Sequence, residues 1–254
     1  MIGITPPAGF EIVREGRLRG LARSDILAPL LPLLRQWDCG TLPASRALVG
    51  GRGGIGAYDL APNLEVVLRP SRRGGWIGRV NQRFYVGVRP RPLLELRVTE
   101  TLRQRGVPTV EVLAAVAHWV VPGLYRGAVV TREIPLAVNL WKYLREVSAA
   151  ERERVCLDAA AATRRLHDAG ATHPDLNLQN FLVLRGAKGR EVLIIDCDRV
   201  RLRQPSDRDR RAAFERVCRS IRRLDPTSEV ISLACVDAFR RIALPAEAGL
   251  GVVG

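Results

Sequence analysis

Thr172-His173-Pro174-Asp175-Leu176-Asn177-Leu178-Gln179-Asn180-Phe181-Leu182-Val183 is followed a short way on by Val192-Leu193-Ile194-Ile195-Asp196-Cys197-Asp198. The pattern is His-x-Asp, four intervening residues, Asn, a short apolar strand, then Asp at the end of a second apolar strand. The spacing puts Asp175 and Asn180 on one tight loop, and Asp196 arrives from the neighbouring strand end. Asp and Asn are common in turns, so a two-residue match carries little; four polar positions in register carry much more. Phosphoryl transfer needs such a set. One carboxylate orients the attacking hydroxyl and takes its proton, while an amide and a second carboxylate hold divalent ions on ATP.

The chain leading into this loop reads as a scaffold for it. Ser148-Ala149-Ala150-Glu151 has the form of a capping box, with Val155, Ala159, Ala162 and Leu166 at helical spacing and Gly170 as the stop. Before it, residues 110–121 and 124–131 are β-rich and meet at Pro122-Gly123, a hairpin signal. Thr131-Arg132-Glu133-Ile134-Pro135 then leaves the sheet, and residues 136–146 read as helical. Beyond Asp196, residues 206–224 predict a very basic helix with Phe214, Val217, Cys218 and Ile221 inward, and residues 230–242 a second helix.

Further upstream, Gly51, Gly53 and Gly56 fit G-x-G-x-x-G. A dinucleotide fingerprint should open a helix. Here the glycines are followed by Ala57-Tyr58-Asp59-Leu60, a turn at Pro62-Asn63, and a strand at Leu64-Glu65-Val66-Val67-Leu68-Arg69. Strand, glycine loop, strand is the phosphate-covering hairpin of kinases, and Arg69 stands where protein kinases carry the phosphate-pairing lysine. Its partner should be an acid on the next helix, residues 91–105, with Leu94, Val98, Thr101 and Leu102 on one stripe. Glu95, one turn in, is the first choice and Glu100 the reserve. Between strand and helix, Arg72-Arg73-Gly74-Gly75-Trp76 suits a loop that grips phosphates or lies on lipid head groups. Residues 1–49 read as an N-terminal extension, in which Pro29 and Pro32 predict short helical turns in place of one helix.

Composition narrows the partners. The 254 residues are 47% apolar and 26% charged, enough for one or two compact domains. The net charge of +14 is almost all arginine, the lysines being Lys142 and Lys188, and it favours anionic partners. Five scattered cysteines without a CxxC or Cys/His cluster argue against structural zinc and a disulfide framework. The first ten residues lack the pattern of a signal peptide, and no run reaches the ~18 apolar residues of a membrane span. A cytosolic protein, or one on the cytosolic face of a membrane, is expected.

The order glycine loop, cation strand, acidic helix, His-x-Asp-x-x-x-x-Asn, Asp resembles the protein-kinase-like superfamily. Within it the chain is most similar to the lipopolysaccharide kinases that act on 3-deoxy-D-manno-octulosonic acid (Kdo). The residues that carry this are Gly51-Arg52-Gly53, Val67-Leu68-Arg69 leading into Arg72-Arg73-Gly74-Gly75, Glu95, Arg105-Gly106-Val107-Pro108, His173 to Asn180, and Ile195-Asp196 with Asp198-Arg199. The resemblance spans about residues 50–203. It implies an α+β, two-lobed fold with ATP between a small β-rich N-lobe (50–133) and a mainly helical C-lobe (134–254). It also implies ATP- and Mg²⁺-dependent phosphorylation of the Kdo sugar on a lipid A precursor, at the cytoplasmic face of the inner membrane.

By matching positions, Asp175 would be the base, and Asn180 and Asp196 the Mg²⁺ ligands. Gly51, Gly53, Gly56, Arg69 and Glu95 would serve the nucleotide phosphates, with Glu133 in the hinge whose backbone meets adenine. His173 reads as structural. Pro174 replaces the usual Arg and Cys197-Asp198 the usual Phe-Gly, so no phosphorylated activation loop is expected, and the short segment after Asp196 favours a sugar acceptor over a protein. Three other readings compete: a kinase of the aminoglycoside or choline type, a polyanion-binding pseudokinase, and nucleic-acid binding. The arginine-rich loops oppose the first, retention of Asp175, Asn180 and Asp196 the second, and the lack of a base-stacking aromatic motif the third.

Overall fold

β-Branched and aliphatic runs separated by Gly and Asn turns build the first part of the chain into one antiparallel sheet. The computed structural model describes residues 5–44, 55–71, 84–186 and 189–244. They fall into two units, Met1–Thr101 with Val110–Glu133, and Leu102–Thr109 with Ile134–Gly254.

In the first unit the elements run β1 (Phe10–Glu15), β2 (Leu18–Arg23), α1 (Leu27–Cys39), β3 (Gly56–Ala61), β4 (Leu64–Pro70), β5 (Tyr85–Val86), α2 (Arg91–Gln104), β6 (Val112–Val121) and β7 (Leu124–Arg132). The sheet order is β1-β2-β6-β7-β4-β3, with β5 added alongside β7. One face packs Leu30, Leu33, Leu34 and Trp37 of α1 on Val13, Leu18, Val66, Leu68, Val116 and Val130. On the other, Leu93 and Leu96 of α2 meet Phe10, Leu21, Ala115 and Val129. Covered on both faces, β6 is buried continuously from Val112 to Ala117 and does not alternate.

Within residues 1–49, read above as an N-terminal extension, residues 10–39 are thus integral to this unit. The reason is mutual burial: β2 pairs with β6 from Leu18↔His118 to Ala22↔Ala114, and α1 covers the face so formed. A Cβ on Gly20 would lie 2.4 Å from the Ala115 carbonyl oxygen, so glycine is what lets β2 approach β6. The expected helix break does not occur either. Pro29 falls in the first turn of α1, where its missing N–H costs nothing. Pro32 lies inside the helix, and burial of Leu30, Leu33, Leu34 and Trp37 offsets its lost hydrogen bond.

The second unit contains β8 (Val138–Asn139), α3 (Leu140–Glu146), α4 (Ala149–Asp168), β9 (Ala171–Thr172), β10 (Phe181–Gly186), β11 (Gly189–Ile194), β12 (Arg201–Leu202), α5 (Asp207–Leu224) and α6 (Leu233–Ala243). The helix expected over 136–146 begins later, because Val138 and Asn139 pair with β10 and Asn139 then caps α3 through the Lys142 N–H. Ser148 caps α4 by accepting from the Glu151 N–H. The Glu151 carboxylate turns instead to the Tyr143 hydroxyl and to Arg190. The two-way box forms at α5, between Ser206 and Asp209. Phe181 of β10 and Phe214 of α5 both contact Phe239 of α6, with centroids 6.5 and 6.2 Å apart.

Candidate active site

β10 and β11 form a hairpin in which Phe181 pairs with Ile194, so Asn180 and Asp196 emerge at the same end. The Ile195 N–H donates to the Asn180 carbonyl at 2.9 Å, which extends the ladder to the last residue before Asp196. Asp175 lies at the head of the loop entering this hairpin. Its backbone carbonyl accepts two side-chain amides, from Asn177 and Asn180, each at 2.9 Å. Asn177 also accepts from the Gln179 N–H, closing a turn that runs into the short 3-10 segment Leu178–Asn180. Because Asn180 spends its amide nitrogen on Asp175, the remaining oxygen is the part of its side chain suited to a cation.

His173 is the brace under this loop. Its Nδ1 accepts from the Asp175 N–H at 3.3 Å, which leaves the proton on Nε2, 3.4 Å from the Ile195 carbonyl. One ring therefore ties the Asp175 loop to the strand end before Asp196. Burial pushes the imidazole below its ordinary value. The Ile195 carbonyl and the carboxylates of Asp196, Asp175 and Asp198 oppose that shift without overcoming it. A neutral, doubly bonded histidine holds geometry, as the sequence implied.

Asp175 and Asp196 are exposed at the surface of this unit, while Asn180 is buried. Asp196 occupies the left-handed region at φ 63°, ψ 52°. Aspartate tolerates that conformation better than most residues. The strand before it and the buried Cys197 after it hold it there, turning the carboxylate out of the hairpin. Among the described residues no group of three or more His, Cys, Asp and Glu side chains is placed to hold a metal. Asn180 and Asp196 offer hard oxygen donors, too few to bind Mg²⁺ unaided but suited to an ion that brings nucleotide phosphates as further ligands.

The first unit carries the candidate cation, Arg69. Alternation along β4 sends Val66 and Leu68 towards α1, so Arg69 projects on the α2 face. There it forms an ion pair with Glu95. Glu95 is buried, and the Arg69 side chain is about a third exposed. Glu100 is also buried; the Arg23 guanidinium of β2 is held above its ordinary value first by its hydrogen bond to Asp25, with Glu100 adding a smaller push in the same direction. The stripe expected on Leu94 and Val98 is displaced: Leu93 and Leu96 face the sheet and Leu94 is exposed. That rotation is what brings Glu95 inward.

Gly56 opens β3 beneath Tyr58, whose ring atoms lie 2.5 to 2.7 Å from where a Cβ would stand. Gly51 and Gly53, and the Arg72 to Trp76 loop, lie outside the described residues. The Glu133 N–H donates to the Glu65 carbonyl at 2.9 Å, so an adenine contact from this residue would use another group. The sequence reading left two features unassigned. Asn177 carries part of the resemblance but has no role assigned from sequence, although Asn in a tight loop is an Asx-turn signal. The arginines of α5 were read only as a basic helix, yet four of them line a groove beside Asp175.

Comparison with known proteins identifies the family. Residues 50–235 match the model of the Lipopolysaccharide kinase (Kdo/WaaP) family. The 3-deoxy-D-manno-octulosonic acid kinase of Xanthomonas campestris pv. campestris (strain B100) is 34% identical over 235 residues, covering 88% of this chain and 89% of that protein. The enzyme of the same name from Xylella fastidiosa (strain M23) is 32% identical over 68% of this chain and 67% of its own. Among solved structures, WaaP in complex with acyl carrier protein superposes with a TM-score of 0.59 at 16% identity, over 89% of this chain and 88% of that one. With its α+β fold and the His173 to Asp196 constellation in place, the chain belongs to the lipopolysaccharide kinase (Kdo/WaaP) family.

Proposed function

We propose that the protein transfers the γ-phosphoryl group of ATP to a hydroxyl of Kdo on a lipid A precursor. The observation that carries this is the locked loop, with Asp175 at its head, cross-linked to Asn177 and Asn180 and braced by His173 against the strand before Asp196. Asp175 is exposed and so accessible to an acceptor, and its carboxylate takes the proton of the attacking hydroxyl. A bond forms from that oxygen to the γ-phosphorus, the bond to the bridging β,γ-oxygen breaks, and ADP leaves. His173, neutral and engaged at both nitrogens, is not the base.

Asn180 and Asp196 would hold Mg²⁺, which when bound neutralises charge on the phosphates. Arg69, fixed by Glu95, is the cation offered to those phosphates. Gly51, Gly53 and Gly56 supply close backbone approach, and Glu133 lies in the segment assigned to adenine. The basic surface suits the anionic cytoplasmic leaflet of the inner membrane, and no described helix is long and apolar enough to cross a membrane.

Transfer of labelled γ-phosphate to Kdo-bearing lipid A precursor tests this reading. The wild-type protein labels the lipid in the presence of Mg²⁺. Asp175→Ala, still folded, loses about 10²- to 10⁴-fold in rate. Absence of label from wild-type reactions rejects the acceptor, and an Asp175→Ala rate equal to wild type rejects the base.

A further inference from the structure

A groove of about 520 Å³ opens directly beside Asp175. One side is the catalytic loop, including Asp175 and Asn177; the other is α5, which contributes Arg216, Arg219, Arg222 and Arg223. Helical spacing makes this a single edge. Ala213, Val217 and Ser220 face the core, and the arginines lie beside that buried stripe. The two walls are tied together, because the Leu178 N–H on the loop donates to the Ser220 hydroxyl at 3.3 Å. The capping box at Ser206 fixes the far end of the same helix.

Arginines on an exposed helix are ordinarily solvated or paired. Nearby cations follow that rule: Arg203 pairs with Asp209, and Arg210 with Asp168. Among the described residues, the four groove arginines form no ion pair. The acid at the end of α5 is not available to them, since Asp225 is buried and accepts the N–H groups of Glu229, Val230 and Ile231. Four like charges are therefore gathered in a concavity whose other wall carries the reacting carboxylate. Their mutual repulsion is unfavourable and is relieved by an anion. The anion must also be part of something whose hydroxyl reaches Asp175.

We propose that this groove is the acceptor subsite, in which Arg216, Arg219, Arg222 and Arg223 bind an acidic group of the acceptor, a carboxylate or phosphate borne near the reacting hydroxyl. Arginine suits either, because its planar fork gives paired hydrogen bonds. The proposal rests on the reading of Asp175 as the base. It would favour an anionic sugar over a cationic acceptor: binding the acid anchors the acceptor beside Asp175, and a cation is repelled.

The test compares wild type, the triple variant Arg219→Gln/Arg222→Gln/Arg223→Gln, and a control of equal charge loss outside the groove, Arg208→Gln/Arg240→Gln/Arg241→Gln. Steady-state transfer to Kdo-bearing lipid A precursor is measured while each substrate is varied. The groove variant raises the acceptor KM at least about tenfold, on the scale of one charge-assisted hydrogen bond. Its kcat and its KM for ATP stay near wild type, and the control matches wild type throughout. An unchanged acceptor KM overturns the proposal. So does a parallel rise in the ATP KM, which would make the groove a nucleotide site, or an equal defect in the control, which would reduce the effect to net charge.

Repeating the assay on acceptor stripped of its lipid phosphates separates the sources. If the arginines read those phosphates, the difference between wild type and variant disappears; if they read the sugar carboxylate, it persists. Should wild type transfer nothing, the reaction assigned above fails by itself. Calorimetric titration with inorganic pyrophosphate, without nucleotide, then still decides the groove. Binding lost in the groove variant and kept in the control supports it, and binding equal in all three proteins overturns it.

Discussion

Arg69 and Glu95 show how one ion pair serves both stability and chemistry. Glu95 is buried, so deleting Arg69 removes a charged partner from a carboxylate held away from water. Fully buried pairs lose ~3–5 kcal/mol in that way, and partial exposure of Arg69 lowers the expectation for Arg69→Met to about 1–3 kcal/mol. Glu95→Gln, which removes the buried charge and leaves Arg69 a hydrogen-bond partner, should cost less than half as much. Both variants should raise the KM for ATP, the first through a missing cation and the second through a loosened one. Urea denaturation and ATP kinetics on the same preparations separate the two effects. His167 offers a second test at this scale. It is buried at the end of α4, neither ring nitrogen has a hydrogen-bond partner among the described residues, and burial, reinforced by Arg210, pushes its pKa down to about 4 from 6.5. The unfolded chain therefore binds a proton between those values that the folded protein refuses. Stability is full above pH 6.5 and falls as the pH drops towards 4, by about 3 kcal/mol from this group, with His173 shifted in the same direction. Thermal melts at pH 7.5 and 4.5 should diverge in wild type and draw closer in His167→Leu.

Among the elements, α1 is the one whose importance the primary structure concealed. Its prolines advertise a break, yet it covers one face of the sheet and buries Trp37, over which the Arg126 guanidinium sits 5.0 Å from the ring centroid. Trp37→Ala should cost about 3–5 kcal/mol, measured as a shift in the urea midpoint, whereas a dispensable extension would show no shift. α4, by contrast, was readable in advance. Its apolar residues recur at helical intervals, Ser148 marks its start and Gly170 follows its end, and each signal depends on near neighbours in the chain. The catalytic loop was readable for the same reason, because Asp175 and Asn180 belong to one turn. The register of β2 on β6 was not, since it depends on a pairing across about a hundred residues that leaves no local trace.

For the whole molecule, the net charge of +14 predicts an electrostatic component to surface binding. Co-sedimentation with phosphatidylglycerol vesicles should be strong at about 0.05 M salt and largely lost by about 0.5 M, as the screening length falls from more than 10 Å to a few ångströms. Binding that ignores salt would reject an electrostatic role for the surface. Chain order alone determined the family, the candidate base and the candidate metal ligands, because those groups sit on one tight turn and the adjoining strand ends, where spacing along the chain fixes proximity. Tertiary structure decided what depends on distant segments meeting. It brought residues 10–39 into the sheet, gave the Glu133 N–H to Glu65, and rotated α2 so that Glu95 meets Arg69. It also laid the arginines of α5 beside Asp175, some forty residues away in the chain. A run of basic residues looks alike whether it faces solvent or lines a site, and only packing against the rest of the chain tells the two apart.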